Sequence, residues 1–158
     1  MFPRIKVFST FLFFAGALYL LKPLHAWSNP RPILNLMGSS AQSDIFTKMI
    51  SDPSGNLHLF WVEQFADQPS EMYYSLRDVD WKTPVNIFVG ENLKYFDATI
   101  TSDWRVHLVW ADNGVYYSSA YVLDAGRVNA WSKPVLLDER NPSYINLSVG
   151  ENEEILVT

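Results

Sequence analysis

Three short tryptophan segments recur along this chain: Trp27-Ser28-Asn29-Pro30, Trp81-Lys82-Thr83-Pro84 and Trp131-Ser132-Lys133-Pro134. Each leads into a short apolar run. Between them lies a second repeated pair, Leu57-His58-Leu59-Phe60-Trp61 and Val106-His107-Leu108-Val109-Trp110. The step from Trp61 to Trp110 is 49 residues, and the step from Val106 to Ile155 is the same 49. A unit repeated at such a period cannot bury its hydrophobic face alone and must stack on its neighbours. That requirement governs every other reading of the chain.

No window carries a sustained helical apolar period. Val, Ile, Tyr, Phe, Trp and Thr cluster in short runs bounded by Asp, Asn, Gly, Pro and Ser, the pattern of strands and turns. A lone strand is expected near residues 32–37. A first full unit is expected with strands at 45–50, 57–62, 71–75 and 85–89. A second follows at 96–101, 106–111, 114–119 and 135–137, and a third begins at 144–149. Asp52-Pro53-Ser54-Gly55-Asn56 reads as a turn. Asp112-Asn113-Gly114 reads as a tight hairpin, because Asn-Gly supplies the positive φ values it needs. Four strands per unit and a period of about 50 match a β-propeller blade. The expectation is therefore an all-β chain: a partial β-propeller of four-stranded antiparallel blades, two of them full, with partial blades at both ends. Closure needs further blades or another chain, so the sequence reads as the N-terminal part of a longer protein or as a truncated gene product, and an unclosed array is not expected to be stably monomeric.

The chain has 158 residues, is 48% hydrophobic and 15% aromatic, and has no cysteine. Disorder is not expected from this composition, and the absence of cysteine is more restrictive. It excludes disulfides, Cys-ligated zinc and a cysteine nucleophile. Arg4 and Lys6 precede an apolar run from Val7 to Leu21, and Lys22-Pro23-Leu24-His25-Ala26 follows. This layout predicts a secretory signal peptide over 1–26, cut after Ala26, with an uncleaved N-terminal anchor as the alternative. The apolar run is shorter than the ~20 residues a spanning helix needs, which favours the signal. Removing 1–26 takes away Arg4, Lys6 and Lys22 and no acids, moving the net charge from −5 to −8. An exported, acidic domain over 27–158 remains. Its charge argues against nucleic acid and against anionic lipid as partners.

Tyr73-Tyr74-Ser75 precedes Asp78, Asp80, Trp81 and Pro84, and Tyr116-Tyr117-Ser118 precedes Asp124, Gly126, Trp131 and Pro134. This resembles the Asp-box, or BNR repeat, of the sialidase superfamily, Ser-x-Asp-x-Gly-x-Thr-Trp followed by Pro. Both copies are degenerate. The first has Asp80 where Gly falls and is one residue short, and the second carries an insertion after Ser118. The kelch Gly-Gly doublet and the WD dipeptide are absent. The resemblance implies that each box sits on the turn joining the third and fourth strands of a blade, with its Asp and Gly shaping the turn and its Trp packing beneath.

Trp27, Trp81, Trp131, Asp80, Asp124, Gly126, His58 and His107 are accordingly read as structural repeat residues. Two histidines suggest a metal or a general base, yet both fill the same slot of adjacent units, which points to packing. The tyrosine pairs recur in register and read the same way, although sialidases use a Tyr nucleophile. Function is expected where the repeats differ. The loop after the second strand is long in the first unit, Glu63-Gln64-Phe65-Ala66-Asp67-Gln68-Pro69-Ser70, and short in the second. The resemblance implies Asp67 as an acid/base residue by its order along the chain, with Glu63 as runner-up.

The sialidase resemblance also implies an Arg-Ile-Pro motif on the first strand of the first blade, whose Arg clamps the substrate carboxylate. This chain has Phe46-Thr47-Lys48-Met49-Ile50 there, and Lys reproduces a bidentate clamp poorly. Arg31-Pro32-Ile33 lies upstream, on the lone strand. Gly-x-Ser-x-Gly, a phosphate loop and His-Glu-x-x-His are absent. Asp52, Asp103 and the acids near Glu151 occupy equivalent turns but do not indicate calcium. Asn146-Leu147-Ser148 forms a glycosylation sequon on an expected strand. No cofactor and no metal are expected. The reading is an exported, non-catalytic propeller that binds glycans or extracytoplasmic proteins. The alternative is the N-terminal portion of an exo-sialidase-like glycoside hydrolase using Asp67.

Overall fold

The computed structural model describes residues 46–158. The expected signal peptide, Trp27 and the expected strand at 32–37 lie outside them. Ten strands run in chain order: β1 (Thr47–Ser51), β2 (Leu57–Glu63), β3 (Ser70–Arg77), β4 (Val85–Gly90), β5 (Phe96–Ile100), β6 (Arg105–Ala111), β7 (Val115–Tyr121), β8 (Val135–Asp138), β9 (Leu147–Val149) and β10 (Ile155–Val157). They form two four-stranded antiparallel sheets with sequential order, β1-β2-β3-β4 and β5-β6-β7-β8, and a β9-β10 hairpin. The chain is thus all-β over this region, apart from two short 3-10 turns, Val122–Asp124 and Val128–Ala130. Among the described residues no helix is long and apolar enough to cross a membrane.

Strand alternation explains how the sheets stack. Successive side chains point to opposite faces, and β2 and β6 are buried on both. From the first sheet, Phe60, Val62, Met72 and Tyr74 meet Val106, Leu108 and Trp110 of the second in one core. The other face of β6 presents Val109 and Ala111 to Ile145 and Leu147 in a second core. Each sheet therefore turns its histidine face to the following unit, and the second receives the first on its tryptophan face. Trp110 and Trp131 sit deep: Phe88 stacks on Trp110 at 4.5 Å, and Trp131 meets Phe60 and Phe88 edge-on at 6.3 and 5.5 Å. Such aromatic pairs add roughly 0.5–1.5 kcal/mol beyond the area they bury.

The turns follow their residues. Asp52 accepts the Ser54 and Asn56 amides at 2.8 and 2.9 Å, and Gly55 supplies φ +83. Asn113 and Gly114 both have positive φ, 54 and 146, as the Asn-Gly hairpin requires. The β3–β4 and β7–β8 connections share one device. Ser75 Oγ donates to the Lys82 carbonyl and Ser118 Oγ to the Ser132 carbonyl, both at 2.7 Å. Lys82 N and Ser132 N then return to the carbonyls of Leu76 and Ser119. The insertion after Ser118 folds into the two 3-10 turns, and Trp131 Nε1 donates to Ala125 O across it at 3.0 Å. The insertion therefore loops out without changing how the strands close.

Candidate functional site

Sequential antiparallel order brings the β2–β3 loop, the β6–β7 turn and the two inter-sheet linkers to one end of the sheets. Glu63 closes β2 and is 8% exposed, and its carboxylate accepts the Trp61 indole N–H at 3.0 Å. Glu71 lies directly opposite in the register and accepts the Tyr73 hydroxyl. Facing carboxylates repel, and here each has a donor of its own. Burial, then the Glu71 carboxylate, push the Tyr73 hydroxyl well above its usual value, so it stays protonated. Asp67 is exposed in the loop, and its side chain has no hydrogen-bond partner among the described residues. The geometry thus engages Glu63 with Trp61 and leaves Asp67 in solvent, sharing no partner with it. The loop is anchored by Gln64 Nε2, which donates to Leu93 O at 2.8 Å.

Lys48, at the slot where the sialidase resemblance implies arginine, pairs with Asp97 at 2.6 Å. The Asp97 side chain is buried, and its second oxygen accepts the Leu147 amide at 2.8 Å. One carboxylate therefore ties together β1, β5 and β9, the first strands of three consecutive units. Sequence reasoning missed Asp97. The signal was present: Lys48, Asp97 and Asn146 follow one another at the same 49-residue step. Phe46, Tyr95 and Tyr144 keep that step too, and Phe46 meets Tyr95 edge-on at 5.5 Å.

The histidines occupy matching slots. His58 Nδ1 lies 2.8 Å from Tyr74 Oη, and His107 Nδ1 lies 2.8 Å from Tyr117 Oη. Their other nitrogens differ, His58 Nε2 facing Asp52 at 3.4 Å and His107 Nε2 facing Thr101 Oγ1 at 2.9 Å. Burial lowers both imidazoles below their ordinary value, with the adjacent acid, Asp52 or Asp103, opposing the shift. Burial alone would raise Asp52, but hydrogen bonds from Asn56, His58 and Ser54 hold it low. Tyr73 and Tyr116 stack on Trp61 and Trp110 at 5.3 and 6.0 Å. Trp81 bridges back to Arg77, Asp80 is exposed, and Asp124 pairs with Arg127 at 2.9 Å. Gly126 faces the Tyr74 ring, 3.6 Å from where a Cβ would stand. Among the described residues no three His, Asp or Glu side chains converge as metal ligands.

The linkers build a recess at this end that combines an aromatic ring with several polar groups. Asn92, Lys94, Tyr95, Ala111, Asn141, Pro142 and Ser143 line a cleft of about 270 Å³. The β6–β7 turn braces both walls: Asn92 N donates to Asp112 Oδ1 at 2.8 Å, and Gly114 N donates to Asn141 Oδ1 at 2.9 Å. No protein-family model, curated protein or solved structure matches this chain.

Proposed function

We propose that this protein is an exported, non-catalytic β-propeller of the sialidase-like type that binds glycans at the end carrying the linkers and the β2–β3 loop. The observation that carries the reading is the Lys48–Asp97 pair. A carboxylate-clamping cation has to be free to meet its substrate, whereas Lys48 is committed to a buried carboxylate that also holds β9. The engaged state of Glu63 and the solvated position of Asp67 point the same way, because a general acid must be free and held in place to reach its substrate, and the Glu63 carboxylate already accepts from Trp61 while nothing holds Asp67 among the described residues. The propeller reading is supported by the unit stacking: four-stranded antiparallel sheets, each presenting the same face to the next, with first strands abutting. Fold resemblance alone does not carry activity, so binding rests on the differences between the units at the linker end. Export rests on the basic and apolar segments of residues 1–21.

Two assays on the full secreted chain test this. A glycan microarray is expected to give specific binding, and a fluorogenic sialoside is expected to show no turnover. Turnover abolished by Asp67→Asn would replace the reading with the glycoside hydrolase.

A further inference from the structure

We infer that the cleft between the two linkers is a carbohydrate subsite that takes a single neutral pyranose at the end of a glycan chain. The inference rests on the glycan-binding reading above and assigns it a site. The walls are fixed before any ligand arrives. Lys94 N and Tyr95 O hydrogen-bond to the backbone of Ala111, at 3.3 and 2.9 Å, and Asn141 holds the opposite wall against Gly114. Preformed clefts spare the ordering cost of binding. The Tyr95 ring is propped by Phe46, so its orientation is set from behind.

The lining chemistry selects the ligand. Asn92, Lys94, Tyr95 and Ser143 line the cleft, and among the described residues their side chains take part in no hydrogen bond or ion pair. Asn141 Oδ1 is occupied, which leaves its amide N–H groups to donate. Amide and hydroxyl groups both donate and accept, and that suits vicinal hydroxyls. Tyr95 adds a flat apolar face with a polar tip. Charge weighs against an acidic sugar: Arg140 is paired with Asp138, which leaves exposed Glu91 and Glu139 on the two linkers against the one lysine, Lys94. A volume of about 270 Å³ lies just below the ligand-pocket range, roughly 300–1,000 Å³, and fits one ring rather than an oligosaccharide.

Saturation-transfer NMR on the full chain, with galactose, glucose, mannose and N-acetylglucosamine as separate probes, tests the inference. The proteins compared are wild type, Tyr95→Phe, which keeps the ring against Phe46, and Lys94→Ala. The expected result is transfer to at least one probe, reduced at least ~10-fold in affinity in each variant at unchanged melting temperature, with that sugar competing for a microarray glycan. Binding that survives in both variants overturns the cleft assignment and leaves the glycan-binding reading standing. Array binding without transfer to any monosaccharide does the same. A blank array together with no transfer overturns both.

Discussion

At the scale of single residues, the buried polar groups divide into those that hold sheets together and those that hold one turn. His58 does both, joining Tyr74 of β3 to Asp52 of the β1–β2 turn. His58→Leu strands the Tyr74 hydroxyl and unbalances Asp52. It is expected to cost roughly 2–4 kcal/mol in urea unfolding. The same residue makes stability depend on pH. Its folded value is lowered from 6.5, so the unfolded chain binds the proton more readily. The His58 contribution is therefore complete above pH 6.5 and is lost as pH falls toward the folded value. The urea midpoint should drop as pH falls below the unfolded value of 6.5, and the drop should shrink in His58→Leu. A midpoint flat over that range would contradict the assignment. Asp97→Ala removes the acceptor of Leu147 N–H and the partner of Lys48. Lys48 is 38% exposed, so solvent screens the ion pair, and most of a cost of roughly 1–3 kcal/mol comes from the orphaned amide. Faster hydrogen exchange at Leu147 would register it directly.

At the scale of elements, the third-to-fourth strand connections test whether the repeat is structural. Ser75 and Ser118 hold equivalent carbonyls although the second connection is longer. Ser75→Ala and Ser118→Ala are expected to lose similar amounts, about 1 kcal/mol each. Exchange should accelerate at Lys82 N in one and Ser132 N in the other. Unequal losses would mean that the insertion, through Trp131 and Ala125, has taken over the closure of the second unit. Gly114 is a sharper case. Its φ is +146, and a Cβ there would stand 3.0 Å from Asp138 O. Gly114→Ala should cost roughly 1–3 kcal/mol and disturb β8 pairing.

At the scale of the molecule, stability comes from stacking one sheet on the next, and Trp131 is the wedge between the first two. It fills the space between Phe60 and Phe88, so Trp131→Ala should cost about 3–5 kcal/mol and lower the melting temperature of both sheets together. Outer strands tell the opposite story. Val135, Leu136 and Leu137 of β8 are all about half exposed on an edge that, among the described residues, is paired on one side only. Open apolar edges recruit further strands. Sedimentation is expected to show self-association that Leu136→Lys reduces. A monomer in both proteins would argue that this edge is covered.

What the sequence determined by itself was the local order: which segments are strands, which turns need Asn-Gly, and that four strands recur at a fixed step. These follow from alternation and turn chemistry, which act over a few residues. Strand ends were less legible. The first strand of the third unit was expected from Tyr144 but runs over Leu147–Val149. Asn146 is nonetheless bonded to Thr158 through both backbone groups, so pairing extends past the regular strand. Only the tertiary structure decided what the variable slots mean. Lys48 and Asp97 are unremarkable surface types in the sequence, and their pairing exists because first strands of successive units abut. The cleft is likewise invisible in either linker alone. It arises where two linkers, distant in sequence, are braced by one turn, and no short-range rule reports that distance.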